Sequence, residues 1–268
     1  MEHEFFVSTV FNEYVVYPLI QLFGIDIEHF QHWFSVHGEH EVLPPHVVMS
    51  IIVCAGLILL GLLLRSRLSV ESPGVVQQGL ELTFEGITGF MKDLIGPGHE
   101  RFFPIIGALF LFILAGNLLG LLPGFMSPTS NINVTAGCAI IVFLYYNYLG
   151  MKSHGFWKYM AHFAGPSLAI APLLFVIEII SHLARPFSLS VRLFGNIFSE
   201  ELIIASLNSL FPFFLSLPLM GLAIFASTIQ AFIFVILTMV YIAGAVDSHH
   251  EEHDDGGSLT GDELAEFG

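Results

Sequence analysis

Between Glu201 and Asp247 the chain runs for 45 residues without an Asp, Glu, Lys, Arg or His. Wound as helix at 1.5 Å per residue, that tract is about 67 Å long, enough to cross a hydrocarbon core of about 30 Å twice. Pro212 and Pro218 mark the expected reversal, which predicts helices of roughly 167–209 and 219–246. Both exceed the bilayer thickness, so tilt or bending is expected of them. Three more stretches are long and apolar enough to span: 46–64, 102–123 and 132–149. Residues 75–95 behave differently. Val76, Leu80, Phe84, Ile87, Met91 and Leu94 recur every three or four positions, with Gln77, Gln78, Glu81, Glu85 and Lys92 between them. That is the pattern of an amphipathic helix lying on a membrane surface. The expected fold is an all-α polytopic integral membrane protein with about five transmembrane helices, one surface helix, and the last two helices long and tilted.

Charge divides the chain into three. Of 268 residues only 12% are charged, against about 25% in a soluble domain. Residues 1–45 carry seven acids and no Lys or Arg, residues 247–268 carry eight acids and neither base, and 46–246 carries eight of each sign. We therefore expect an acidic extracytoplasmic segment (1–45), a membrane domain (46–246) and an acidic, His-rich cytoplasmic tail (247–268). No basic face for nucleic acid exists. The N-terminus lacks the basic n-region of a cleavable signal. Arg65, Arg67, Lys92 and Arg101 cluster in one loop and Lys152 and Lys158 in another. The positive-inside rule then puts the N-terminus outside and the C-terminus in the cytoplasm.

The residues that carry chemistry lie between 178 and 230, where polar groups interrupt apolar helix. An intramembrane Arg costs about 2.5–3.5 kcal/mol on insertion scales and cannot lose its proton. Arg192 must therefore meet a counter-charge or a wet cavity. Glu178, Arg185 and Arg192 are spaced by sevens and form one helical stripe, flanked by His182 and Asn196. For Glu178 and Arg185 the competing reading is snorkelling or structural pairing. Glu201 lies nine residues beyond Arg192, about 13 Å along the axis and on the opposite face. Two offset acids separated by a fixed positive charge resemble two half-pathways with a barrier between them. His249, His250 and His253 with their acidic neighbours, and the pairs His29/His32 and His37/His40, have ligand-like spacing but sit in solvated tails. No metal site or cofactor is expected.

The run Ser188-Leu-Ser-Val-Arg192-Leu-Phe-Gly-Asn196, then Glu200-Glu201-Leu and later Gln230-Ala-Phe-Ile-Phe234, closely resembles subunit a of the F-type ATP synthase. Asn117-Leu-Leu-Gly-Leu-Leu-Pro123 and Pro128-Thr-Ser-Asn-Ile-Asn133-Val-Thr135 follow the same order. The resemblance covers about residues 46–246. It implies a non-catalytic stator subunit in a bacterial plasma membrane or, as the alternative, a thylakoid. Its partners would be a rotating c-subunit ring, a b-subunit peripheral stalk and other synthase subunits. H⁺ would be the translocated ion, with Na⁺ left open because selectivity is set on the ring. Arg192 matches the family's essential arginine, Glu201 its outer-channel acid and Glu178 its inner-channel acid. Asn196 and Gln230 match polar residues near the arginine. Where one bacterial pattern has a His partnering the outer acid, this chain has Ala223, which leaves Glu200 or water as the expected helper of Glu201. A secondary ion or solute transporter is the competing class; it commonly shows two related halves, and none is visible here.

Overall fold

The computed structural model describes residues 6–23, 43–65, 68–69, 73–122, 125–154, 171–210 and 216–246. The His-rich tail, the paired histidines of 29–40, Arg67, Lys158 and Pro212 lie outside the described residues. Among the described residues eight α-helices appear in order: α1 (Phe6–Phe11), α2 (Tyr17–Phe23), α3 (Pro45–Arg65), α4 (Val75–Ile95), α5 (Phe103–Leu119), α6 (Ile132–His154), α7 (Ala171–Leu210) and α8 (Ser216–Val246). A π-helical segment, Asn12–Val16, joins α1 to α2, and single 3₁₀ turns occupy His99–Phe102 and Pro128–Ser130. No strand occurs among the described residues. Five of the described helices are long and apolar enough to cross a membrane: α3, α5 with its leading turn, α6, α7 and α8. The all-α polytopic architecture is thus the one expected.

Helix limits depart from expectation in instructive places. α6 runs on to His154 rather than stopping near 149, because Gly150-Met-Lys-Ser continues the helix into polar sequence. α8 begins at Ser216, so Pro218 sits in its first turn, where a missing N–H costs no intrahelical bond. Between α4 and α5 the chain reverses at Gly96 and Gly98, with φ of 79° and 81° that suit glycine. α7 is 40 residues long, about 60 Å, and carries Pro186 inside it.

α8 packs against α4, α5, α6 and α7, and α6 also runs along α7. Their shared core contains Ile106, Phe110 and Ile113 of α5, Val142 and Tyr146 of α6, Leu189 and Leu193 of α7, and Phe234 and Met239 of α8. α4 does more than float at a surface. Ile87, Met91 and Ile95 are buried in this core, while Val76 and Leu82 in its first half stay exposed. α3 leaves Ile58, Leu59, Leu62 and Leu63 exposed, an apolar face suited to lipid.

The N-terminal segment, acidic as a whole, contains a helical run over 6–23. Its buried stripe is Ser8, Asn12, Val16 and Ile20, spaced by four. Four residues overshoot an α-helical turn by about 40°; the wider π turn at 12–16 takes up part of that overshoot and keeps the stripe on one side. Asn12 is fully buried and clamps the strand of chain entering α3: Nδ2 donates to the Leu43 carbonyl and Oδ1 accepts from the Leu43 N–H, each at 3.0 Å. Replacing Asn12 by Ala should leave both Leu43 groups unsatisfied, at a cost of about 1–3 kcal/mol each before relaxation. Amide hydrogen exchange should then show Leu43 and residues 8–20 losing protection together, with α5–α8 unchanged.

Candidate functional site: the polar groups of helix α7

Leu189, Leu193 and Ile197 recur every four residues and are buried, which fixes the inward face of α7. Arg192 stands about 100° from Leu193 around the axis and is exposed. Among the described residues no carboxylate pairs with it. Glu178 and Arg185 are half-buried, and the Arg185 guanidinium lies 5.7 Å from the centroid of the Tyr241 ring on α8, a cation–π contact.

His182 leaves the stripe for the interior between α7 and α6. Its Nε2 is 2.8 Å from Asn147 Oδ1 and 3.4 Å from the Tyr146 hydroxyl, with the Phe143 ring packed edge-on. Asn147 Nδ2 donates to the Phe143 carbonyl at 2.7 Å, so the amide oxygen faces the imidazole and Nε2 carries a hydrogen. Glu178, His182 and Arg185 thus form one cluster, and Arg192 stands about 10 Å further along the axis from Arg185.

Beyond Arg192 the polar groups divide. Asn196 Nδ2 donates to Gln230 Oε1 at 2.7 Å, joining α7 to α8. Gln230 is 4% exposed, and its Nε2 has no hydrogen-bond partner among the described residues. One turn on, Glu200 accepts from the Ser227 hydroxyl at 3.4 Å. Asn196, Ser199, Glu200, Ala223 and Gln230 line an open groove of about 510 Å³ between α7 and α8. Ala223, where a histidine was looked for, is part of its wall.

Glu201 turns elsewhere. Its Oε1 accepts from the backbone N–H of Ser127 at 2.9 Å. The Ser130 hydroxyl, beside the same carboxylate, donates to the Ser127 carbonyl at 2.8 Å. The Ser127 and Thr129 hydroxyls meet at 2.7 Å, Thr129 donates to Asn117 Oδ1, and Asn117 Nδ2 donates to the Ser227 carbonyl at 3.4 Å. One buried polar chain therefore links the holder of Glu201 to the holder of Glu200. It exists because Gly116 on α5 and Gly120 just past its end make room: a Cβ at Gly120 would stand 2.6 Å from Ser127 Cβ and 2.9 Å from its nitrogen, and one at Gly116 would stand 3.0 Å from Pro128.

Sequence reasoning singled out Arg192, Glu178, His182, Asn196, Glu200, Glu201 and Gln230. The structure joins Asn196 to Gln230 directly, sets Glu200 in the same groove, and turns Glu201 away from it. Ser127 and Ser227 were missed as site residues, and Asn117 and Thr129 were noticed only within family blocks. The available signal was the run of small residues Ala223, Ser227 and Ala231 at every fourth position of α8, which marks a close helix contact.

A helical membrane protein with an exposed arginine part-way along a membrane-length helix, between two separated polar clusters, is the class that fold and site define. The model of the ATP synthase A chain family matches residues 47–243. The ATP synthase subunit a of Trichlorobacter lovleyi is 39% identical over 238 residues, covering 88% of this chain and all of that protein. Those of Geobacter sulfurreducens and Syntrophobacter fumaroxidans are 44% and 45% identical, covering 75% and 78% of this chain and 86% and 87% of theirs. The chain belongs to the ATP synthase A chain family.

Gly120→Ala should dislodge the Ser127–Ser130 turn, costing about 1–3 kcal/mol as overpacking does elsewhere. Gly137→Ala on α6, where a Cβ meets nothing within 4 Å, should cost nothing measurable. Thermal midpoints of the detergent-solubilised complex compare the two.

Proposed function

We propose that this chain is the ion-translocating stator subunit of an F-type ATP synthase in a bacterial plasma membrane. It faces a ring of c subunits, is braced by a b-subunit stalk, and keeps its N-terminus outside and its C-terminus in the cytoplasm. The observation that carries the reading is Arg192, a permanently charged side chain exposed on the outward face of a membrane-length helix. Left in lipid, that charge is unfavourable by several kcal/mol. A carboxylate presented by an adjoining ring supplies the missing partner.

The two clusters of α7 are the terminal stages of two half-pathways. Glu178, with His182 beside it, serves the inner one; the Glu200–Glu201 pair, with Asn196 and Gln230, serves the outer one. A ring carboxylate passing Arg192 is held ionised by the guanidinium, so it gives up its proton on one side and takes a new one on the other. The same fixed charge repels a proton moving directly between the clusters. The proton is the ion that Glu and His relays suit. One charge crossing 100 mV yields about 2.3 kcal/mol, so rotation must sum several transfers for each ATP made.

Arg192→Ala should abolish ATP-driven proton pumping in inverted vesicles while the subunit still assembles, because it removes a charge from an outward face and no packing group from the core. Arg192→Lys should not restore full pumping, since a compact ammonium lacks the planar fork and can deprotonate when desolvated. Near-normal pumping by the Ala variant would sink the assignment.

A further inference from the structure

The two adjacent acids of α7 are held by chemically different hands. Family resemblance makes Glu201 the relay and Glu200 its helper; the contacts point the other way. We infer that the proton is exchanged at Glu200, and that Glu201 is a fixed acceptor held in place by the Ser127–Ser130 turn. This rests on the ion-translocating reading above and assigns the division of labour within it.

Access is the first argument. Glu200 lines the open groove between α7 and α8, and it is the only ionisable side chain among the described residues that do so. Glu201 is absent from that lining and faces the turn after α5. Asn196, Ser199 and Glu200 are the polar groups on its wall beside Gln230, so water entering the groove would reach the Glu200 carboxylate directly.

The second argument is the nature of each partner. Ser227 presents a hydroxyl, which donates to a carboxylate and, after rotating, accepts from a carboxylic acid. Glu200 can therefore gain and lose a proton without losing its contact. Ser127 presents a backbone N–H, which only donates and so holds Glu201 Oε1 as an acceptor, and the Ser130 hydroxyl beside the same carboxylate is engaged with the Ser127 carbonyl. Exchange then balances simply: a hydronium in the groove breaks one O–H bond, Glu200 forms one, and the step reverses on release. The charged groups nearby are Glu201, adjacent on the same helix, and Arg192, about 12 Å back along the axis. The facing helix α8 carries no Asp, Glu, Lys, Arg or His at all.

Positioning falls to residues that never touch the proton. Gly116 and Gly120 admit the turn, and the Ser127–Thr129–Asn117 chain ties it to the Ser227 backbone, so the two acids keep different surroundings although they are neighbours in sequence.

The test is ATP-driven pumping by the whole synthase in inverted vesicles, measured against pH on the groove side, with subunit content checked by blotting. Glu200→Gln should lower the rate by about tenfold or more, as loss of an acid–base group does, and should erase the inflexion belonging to the exchanging carboxyl. Glu200→Asp should keep that inflexion. Glu201→Gln, whose amide oxygen still accepts from Ser127, should lose about threefold or less and retain the wild-type profile. Thr129→Val should fall between the two with the inflexion preserved, and Thr129→Ser should restore the rate. A loss in Glu201→Gln equal to or greater than that in Glu200→Gln, or a wild-type profile in Glu200→Gln, overturns the division. Arg192→Ala separates the two levels: if it pumps normally the translocation reading itself fails, and if it is dead while Glu200→Gln behaves as wild type, only the division fails.

Discussion

A polypeptide surrounded by hydrocarbon must satisfy its own backbone, and non-helical chain survives among membrane helices only where protein or a wet cavity supplies the partners. The Ser127–Asn131 turn meets that condition. Its hydroxyls bond to one another and to α5, and its one outward amide bonds to Glu201. Remove the shelf made by Gly116 and Gly120 and the turn cannot approach; without the turn, Glu201 has no donor and Asn117 loses the hydroxyl that orients it. The arrangement of the acid pair thus begins with two absent methyl groups at the end of another helix.

The same dependence shows why some of this molecule was legible in its sequence and some was not. Helix α4 was found at its observed limits because its three-to-four periodicity is local, and Arg192 was found because a charge in apolar helix is conspicuous wherever it packs. The roughly 100° between Glu200 and Glu201 was equally legible. Which of them would meet a hydroxyl and which an amide was not, since those partners come from residues 27 positions later and 74 positions earlier. The burial of Ile87, Met91 and Ile95 was not legible for a related reason: periodicity reveals an apolar face but not whether lipid or protein covers it. The N-terminal helix escaped notice because its stripe of fours, carried through a π turn, fits neither regular period.

The two polar clusters also differ in what holds them. His182 is fixed from α6 through Asn147 and Tyr146, whereas Asn196 and Glu200 are fixed from α8 through Gln230 and Ser227. A single helix carries both, and α8 meets the inner cluster only through the Tyr241 ring against Arg185.

Pro186 falls between these two zones of support. Lacking an N–H, it cannot make the helix bond four residues back, so α7 continues through this point with one rung fewer. In mechanical terms α7 is two stiff beams joined by a compliant joint, with Arg192 mounted on the second beam a turn and a half past the joint. A sideways load on the guanidinium would pass into α8 through the Asn196–Gln230 tie, and the joint would bend before His182 moved. Stiffness where the charge is loaded, and compliance just behind it, let one end of the helix yield without disturbing the other.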